Sequence, residues 1–495
     1  MKFISASGSL MTTKIISLLD VEFFLLGFLL LSLCAGFLTY IKVALARNFL
    51  LLSIYTYVLF GILFLNNSNT ILTTASKSLL IIFLIFSTLY LIIFYAYIKQ
   101  GFLVVQTGYI LLLMLSILGM FSVMLSEDLF FWFLAIELQS FTFYALCAYQ
   151  TNRAFLQTEA ALKYFIFGSI ASSFLLYGLS IIFLETGSLQ IVDIQTILLT
   201  TKDYSQLKIG IILVLIALFI KLGCAPFHLW TPQVYTNSAP ILTFMFLLLP
   251  KIPLFYILYV LSSLQVQNIY SFIIIASLLI GTIYAFSSVI FRTFMAYSAI
   301  ANNAFLLTPL MTNTLFSLEA LISYIVMYNI VLVSIFCVVL FLRRYDGTPL
   351  IHNLRDLALV KKTNLFLAIS LAIAFLNFSG IPPLIGFSAK IIVLTSSLSE
   401  SLYTTNLVLL IASLLSAYYY LRVLKTMFFS SSLKYAGTSS IPLSIGYIIS
   451  LCLIINVIYV LTPIVLVTKS LSPYAYTPIQ IYFMSKYRYH IIPGL

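Results

Sequence analysis

Long apolar stretches with few charges fill most of this 495-residue chain. Each runs for roughly 20 residues, the length that a helix needs to cross the hydrocarbon core of a bilayer. The stretches lack the two-residue alternation of membrane β-strands, so we predict helices. The fold class is therefore predicted to be all-α, a polytopic membrane bundle of about 14 transmembrane helices. The predicted spans cover residues 20–40, 49–65, 79–98, 107–126, 129–149, 162–184, 207–231, 240–264, 269–290, 293–311, 318–342, 364–395, 404–428 and 441–467.

Two of these spans contain a helix-breaking segment of the same form. The seventh carries Gly223-Cys224-Ala225-Pro226-Phe227, and the twelfth carries Gly380-Ile381-Pro382-Pro383-Leu384. Because the twelfth span is five after the seventh, the two run in opposite directions through the membrane. Broken helices in matching positions are typical of transporters built from inverted repeats. We predict two inverted five-helix repeats, with an N-terminal three-helix segment at 1–100, the first repeat at 101–265, the second at 266–430, and a C-terminal helix and tail at 431–495.

Composition supports a membrane protein, because 62% of the residues are hydrophobic and 8% are charged. The five cysteines are scattered among apolar spans without C-x-x-C spacing, so core packing is favoured over disulfides or metal clusters. The sequence contains no nucleotide-binding, P-loop or haem-attachment motif. We therefore expect no cofactor in this chain.

The charges predict the orientation of the bundle. Loops opposite the termini hold thirteen basic and three acidic residues, whereas the side of the termini holds eight basic and nine acidic residues. By the positive-inside rule, both termini face the outside of the membrane. The net charge of +12 thus reflects topology, and nucleic acid is not an expected partner.

Five charges remain inside or at the edges of predicted spans: Glu137, Lys163, Lys221, Lys251 and Lys390. A lysine in hydrocarbon costs about 3 kcal/mol on insertion scales, so buried charges usually mark a functional pathway. Lys221 lies thirteen residues after Lys208, or about 20 Å along a helix, which places it near the middle of the membrane. Desolvation disfavours the charged form of such an amine and prepares it for proton exchange.

The same residues have structural interpretations. Lys221 is alternatively a snorkelling side chain, and Lys251, set between Pro250 and Pro253 in a kinked helix, is alternatively a packing lysine. Glu137 is the natural partner of a buried lysine, either for function or as a structural ion pair.

Lys390 and Lys163 lie nearer the membrane surfaces, where snorkelling competes with function, and Lys163 is a second candidate partner for Glu137. His228 follows the first break and suits either a proton relay or a structural contact with freed carbonyls. Trp132 and Trp230 are expected at the membrane interfaces.

Several stretches together resemble a known family: FLAIELQSFTFYAL, KYFIFGSIASSFLLYG, FIKLGCAPFHLWTPQVY, APILTFMFLLLPKI, RTFMAYSAIANNAFLL and FSGIPPLIGFSAK. They are similar to the N-type antiporter-like subunit (subunit 2) of respiratory complex I, NADH:ubiquinone oxidoreductase. The resemblance covers about residues 120 to 395.

The resemblance implies that Glu137 and Lys221 are the family's glutamate–lysine pair, Lys251 the central lysine and Lys390 the exit group. Lys163 then matches a sixth-helix lysine and His228 the histidine after the break. The chain departs from the family at Gln233, Thr236, Asn237 and Asn302. These departures argue against a proton relay through the tenth helix or through the loop after His228. They do not affect the series Lys221, Lys251 and Lys390.

The resulting hypothesis is a proton-translocating subunit driven by quinone reduction elsewhere, with NADH, FMN, iron–sulfur clusters and ubiquinone bound by other subunits. Other membrane-arm subunits, including further antiporter-like subunits, and membrane lipids are the expected partners. The expected location is the mitochondrial inner membrane, or alternatively a bacterial plasma membrane. An Mrp-type cation/proton antiporter subunit and a non-transporting structural subunit are the alternative functions.

Overall fold

The computed structural model describes residues 74–102, 107–149, 154–200, 205–264, 267–312, 315–344, 349–382, 384–398, 402–429 and 441–458. These residues are mainly helical, and β-pairing among them is limited to isolated bridges. The helices are α1 (Thr74–Lys99), α2 (Thr107–Val123), α3 (Leu129–Ala148), α4 (Ala154–Thr186), α5 (Ile191–Thr200), α6 (Ser205–Leu222), α7 (Trp230–Asn237), α8 (Pro240–Leu248), α9 (Lys251–Ser262), α10 (Gln267–Ser287), α11 (Phe291–Leu307), α12 (Leu315–Phe341), α13 (Ala358–Thr363), α14 (Leu365–Ser379), α15 (Ile385–Leu398), α16 (Tyr403–Phe429) and α17 (Leu443–Ile458). A short 3-10 turn at Thr308–Met311 follows α11, and another at Leu354–Leu357 precedes α13.

Eight helical segments of the described chain are long and apolar enough to cross a membrane. Shorter apolar helices add Gly108–Val123, Leu365–Ser379, Ile385–Leu398 and Leu443–Val457. The predicted spans 20–40 and 49–65 lie outside the described residues, and each of the other twelve overlaps at least one helix. The all-helical class is therefore confirmed for the part of the chain that the structure describes.

Three of the predicted spans are each divided into two helices, and the divisions fall where glycine or proline occurs in the sequence. The seventh predicted span becomes α6 and α7, the eighth becomes α8 and α9, and the twelfth becomes α14 and α15. Proline removes a backbone donor and clashes with the preceding turn. The sequence did not predict the short helices α5 and α13, because hydropathy selects only membrane-length segments.

Glycines bring neighbouring helices into close contact. A Cβ at Gly178 of α4 would lie 2.8 Å from the Gly210 carbonyl oxygen of α6, and one at Gly281 of α10 would lie 2.7 Å from the Ala301 nitrogen of α11. Small residues permit such close approach where lipid gives helices no hydrophobic reason to associate.

Burial separates central from peripheral helices. The segment Pro240–Ser262 holds α8 and α9, and its most apolar part is entirely buried. The most apolar parts of α4 and α16 are each only 33% buried. The centre of the bundle therefore contains Lys251, while α4 and α16 present apolar side chains outward.

The two tryptophans are not interfacial anchors. Trp132 and Trp230 are both buried, and their indole N–H groups donate to the carbonyls of Ser126 at 2.7 Å and Ile220 at 3.0 Å. The interface prediction was wrong because each indole has a backbone acceptor inside the protein. The described cysteines, at positions 147, 224, 337 and 452, are buried free thiols, as their core-packing interpretation requires.

Candidate functional site

Glu137 and Lys221 form an ion pair between α3 and α6. Lys221 Nζ lies 2.8 Å from Glu137 Oε1, and the lysine and glutamate side chains are 9% and 14% exposed, respectively. Ser140, one turn after Glu137 on the same helix, donates to Glu137 Oε2 at 3.3 Å. Lys221 Nζ also lies 3.5 Å from Ser140 Oγ. The charges predicted that Glu137 pairs with a buried lysine, the family resemblance implied that this lysine is Lys221, and the structure contains that pair.

The first break leaves the Lys221 ammonium available to Glu137. Gly223 adopts a positive φ of 67°, which suits glycine at a helix C-terminus. Neutral side chains satisfy the carbonyls freed there, because Trp230 donates to Ile220 and Asn303 donates to Leu222 at 3.1 Å. Lys221 is thus not required to cap the end of its own helix.

Lys251 begins α9 directly after Pro250 and is 5% exposed. Its ammonium donates to the hydroxyl of Tyr328 on α12 at 2.7 Å and lies 4.1 Å from the centre of the same ring. A hydroxyl and a π-face stabilise a buried cation less than a carboxylate does. Lys221 and Lys251 therefore differ sharply in the charge of their immediate partners.

A cavity of about 40 Å³ joins these two lysines. Lys221 and Lys251 both line it, together with Gln139, Ser140 and Trp230. A polar cavity of roughly 10–15 Å³ by the same measure accommodates one water molecule. The cavity that both lysines line is therefore large enough for water.

Lys390 lies at the second break. It is 6% exposed, and its ammonium donates to the carbonyls of Phe378 at 2.9 Å and Ser379 at 3.0 Å. Ser416 Oγ on α16 lies 3.4 Å away. The snorkelling alternative for Lys390 is wrong, because the side chain folds inward onto the carbonyl end of α14.

The two breaks share one local geometry. Gly380 has a φ of 75°, close to that of Gly223. The residue after each glycine donates back over five positions, from Cys224 to Phe219 at 3.0 Å and from Ile381 to Leu376 at 3.5 Å. The breaks differ in which groups satisfy the freed carbonyls: neutral side chains at the first, a lysine at the second.

Side chains of α12 and α14 connect Lys251 to Lys390. The Tyr328 ring packs against the Phe378 ring with centroids 5.7 Å apart, and Lys390 donates to the carbonyl of Phe378. The next residue in α12, Asn329, and the residue before Phe378, Asn377, each have a buried amide nitrogen without a partner among the described residues. Buried polar groups of this kind are the usual positions of internal water.

Lys163 and His228 do not contact Lys221, Lys251 or Lys390 among the contacts described above. Lys163 pairs with Glu159 one turn earlier on α4, and their side chains are 36% and 37% exposed. The structure thus gives Lys163 a local partner in place of Glu137. His228 is buried, with Nδ1 3.3 Å from the Pro226 carbonyl oxygen, which matches its structural interpretation.

Sequence reasoning missed Tyr328, Ser140 and Asn303. Ser140 had a detectable signal, since it follows Glu137 by three residues and therefore shares its helix face. Tyr328 and Asn303 had none, because their roles depend on contacts with residues 77 and 81 positions away.

The chain is similar to known proteins in sequence and in fold. The chain matches the family described as "NADH:quinone oxidoreductase/Mrp antiporter, TM" over residues 126–416. It is 30% identical to NADH-quinone oxidoreductase subunit N of Parvibaculum lavamentivorans over 331 residues, which is 66% of this chain and 68% of that protein. It is also 30% identical to NADH-ubiquinone oxidoreductase chain 2 of Marchantia polymorpha over 333 residues, covering 65% and 67% of the two chains.

A chain in the structure of respiratory complex I from Thermus thermophilus with bound aureothin has a similar fold. The TM-score is 0.74 at 22% identity, and the alignment covers 89% of this chain and 97% of that one. This likeness supports the arrangement of helices.

Proposed function

Because the chain belongs to the NADH:quinone oxidoreductase/Mrp antiporter transmembrane family, we propose that it moves protons across a membrane. In this proposal it is an N-type membrane-arm subunit of an NADH:quinone oxidoreductase, as its relatives are named. The observation that carries the proposal is the cavity lined by both Lys251 and Lys221, the lysine that pairs with Glu137.

The first step is the release of a proton by Lys221. While Glu137 lies 2.8 Å away, the carboxylate stabilises the ammonium. Two unit charges 4 Å apart attract by about 4 kcal/mol at an effective dielectric constant of 20. Transfer of one charge against 100 mV requires about 2.3 kcal/mol, so separation of the pair supplies an effect of the required size. Water in the cavity then carries the proton to Lys251.

The second step runs from Lys251 to Lys390. We propose that water occupies the positions beside the unpaired amides of Asn329 and Asn377, since the Phe378 ring itself cannot carry a proton. Lys390 then passes the proton to the outer side. Lys163 and His228 flank the relay in this scheme and carry no step of it.

The matching breaks at Gly223 and Gly380 support the finer architecture that we propose. This comprises fourteen spans, with inverted repeats at 101–265 and 266–430 between the terminal segments 1–100 and 431–495. We further propose that both termini face the outside, that the membrane is the mitochondrial inner membrane or a bacterial plasma membrane, and that redox cofactors reside on other subunits of the complex.

Replacement of Lys221 by Ala tests the function. Intact complex with Lys221→Ala, reconstituted in vesicles, is expected to translocate fewer protons per electron from NADH. Lys208→Ala, an exposed lysine at the start of the same helix, is the matched control. An unchanged proton-to-electron ratio for Lys221→Ala would contradict the proposal.

Two further measurements separate the alternatives. The family description also covers Mrp antiporters, and sodium-dependent proton exchange by a complex without NADH oxidation would favour that function. A purely structural role of the buried charges predicts that Lys251→Met impairs assembly of the complex, whereas the relay predicts normal assembly with proton translocation lost.

A further inference from the structure

One exposed face of α16 changes from apolar to cationic within a single turn. Ile411, Leu414 and Tyr418 are each at least half exposed, and Arg422 and Lys425 continue the same stripe at four and seven residues after Tyr418. The helix ends at Phe429, seven residues or about 10 Å beyond Arg422. Arg422 and Lys425 thus lie near the C-terminal end of α16.

Neighbouring elements add cations at this level. Lys361 and Lys362 are exposed at the end of α13. Lys361 Nζ donates to the carbonyl of Phe428 at 3.2 Å, which places it beside the end of α16. Arg422 donates to the carbonyl of Phe286, in the last turn of α10, at 2.7 Å. The contact between α13 and α16 therefore places Lys361 and Lys362 at the end of α16 that carries Arg422 and Lys425, and we name these four residues the α13–α16 basic cluster.

The nearby carboxylate of Asp356 already has partners. Its Oδ2 accepts from the backbone N–H groups of His352 at 3.0 Å and Asn353 at 2.8 Å. This capping arrangement fixes the turn before α13. Among the described residues around the basic cluster, the carboxylate of Asp356 is thus engaged with backbone, and the four basic residues are exposed near the apolar stripe.

We propose that the α13–α16 basic cluster binds the phosphate group of an anionic phospholipid, whose acyl chain lies along Ile411, Leu414 and Tyr418. A phospholipid would contact both the basic residues and the apolar stripe, whereas a soluble anion would contact the basic residues alone. The combination therefore favours a lipid. Clusters of lysine and arginine next to membrane helices attract anionic lipids. This inference concerns the outer surface of the bundle and does not depend on the proton relay.

The test uses the intact complex purified in mild detergent, with bound lipids quantified by mass spectrometry. We expect the double variant Arg422→Gln/Lys425→Gln to lose at least one anionic phospholipid per complex. The matched control is Lys99→Gln, which removes an exposed cation from the end of α1, and it should keep its lipids. After delipidation, each charge removed should weaken binding of phosphatidylglycerol by about fivefold.

Several results would overturn the proposal. Equal anionic lipid in the double variant and the control would do so. Loss of a protein subunit in place of lipid would assign the cluster to a protein partner. Equal competition by inorganic phosphate and by short-chain and long-chain phosphatidylglycerol would indicate a soluble anion. If the double variant fails to assemble, Lys361→Gln/Lys425→Gln, which keeps the Arg422 contact with Phe286, replaces it with the same expected loss.

Discussion

The ammonium group of Lys251 on α9 lies 2.7 Å from the hydroxyl of Tyr328 on α12. Both side chains are buried, and the lysine begins its helix immediately after Pro250. The hydroxyl both donates and accepts hydrogen bonds, so it accepts from the charged amine and donates to a neutral one. Tyr328 therefore provides a partner for Lys251 in either protonation state.

Tyr328→Phe removes this partner and retains the ring that packs on Phe378. We expect the complex to assemble and proton translocation to fall at least several-fold. A hydrogen bond to a charged group contributes about 1.5–3 kcal/mol. The measurement is proton translocation per NADH oxidised in vesicles.

Tyr324→Phe is the matched control, because Tyr324 lies one turn earlier on α12 and bonds Asn302 at 2.9 Å instead of a lysine. If the two variants lost translocation equally, Tyr328 would have no special relation to Lys251.

A second prediction separates the two interpretations of Glu137. Glu137→Gln leaves the Lys221 ammonium without its carboxylate, and removing one partner of a buried pair costs about 3–5 kcal/mol. The 14% exposure of the glutamate reduces this figure. We expect a lower melting temperature of the assembled complex and loss of proton translocation.

The double variant Glu137→Gln/Lys221→Met has no unpaired charge, so its thermal stability should recover toward that of the unmodified protein. Its translocation should stay lost. Recovery of both properties would show that the pair has only a structural role.

Some of the site was predictable from the sequence and some was not. An isolated charge in an apolar run is conspicuous, so the sequence alone identifies Glu137, Lys221, Lys251 and Lys390. Gly223 and the prolines likewise predict where helices end. Tyr328 was not identifiable, because one tyrosine among 33 gains its role only through contact between distant helices.

The two interpretations that the structure overturns, the snorkelling alternative for Lys390 and the interfacial position of the tryptophans, have the same origin. Snorkelling is a plausible interpretation of Lys390 only if the depth of the side chain in the membrane is judged from its distance to the end of the span. Nothing in the local sequence indicates that the broken end of α14 turns two carbonyls toward this lysine. In each case, contacts between helices determine where the side chain lies, and these contacts cannot be inferred from the position of the residue along its own helix.

A third prediction concerns the second break. A Cβ on Gly386 would lie 1.7 Å from the Asn377 carbonyl oxygen, a distance that requires α14 and α15 to separate. We expect Gly386→Ala to reduce the amount of assembled complex, since overpacking typically costs about 1–3 kcal/mol. Gly446→Ala is the control, because a Cβ at Gly446 meets nothing within 4 Å. Equal assembly of the two variants on native gels would show that the close contact at Gly386 is unimportant.

A fourth prediction concerns Lys163, which the sequence offers as a second partner for Glu137. Its ammonium pairs with Glu159 on the same helix, and the two side chains are 36% and 37% exposed. Exposed pairs contribute about 0–1 kcal/mol, so Lys163→Gln should leave both assembly and the proton-to-electron ratio within experimental error. Glu159→Gln should behave in the same way. A large loss of translocation in Lys163→Gln alone, with Glu159→Gln unaffected, would mean that Lys163 leaves Glu159 during turnover and acts on Glu137.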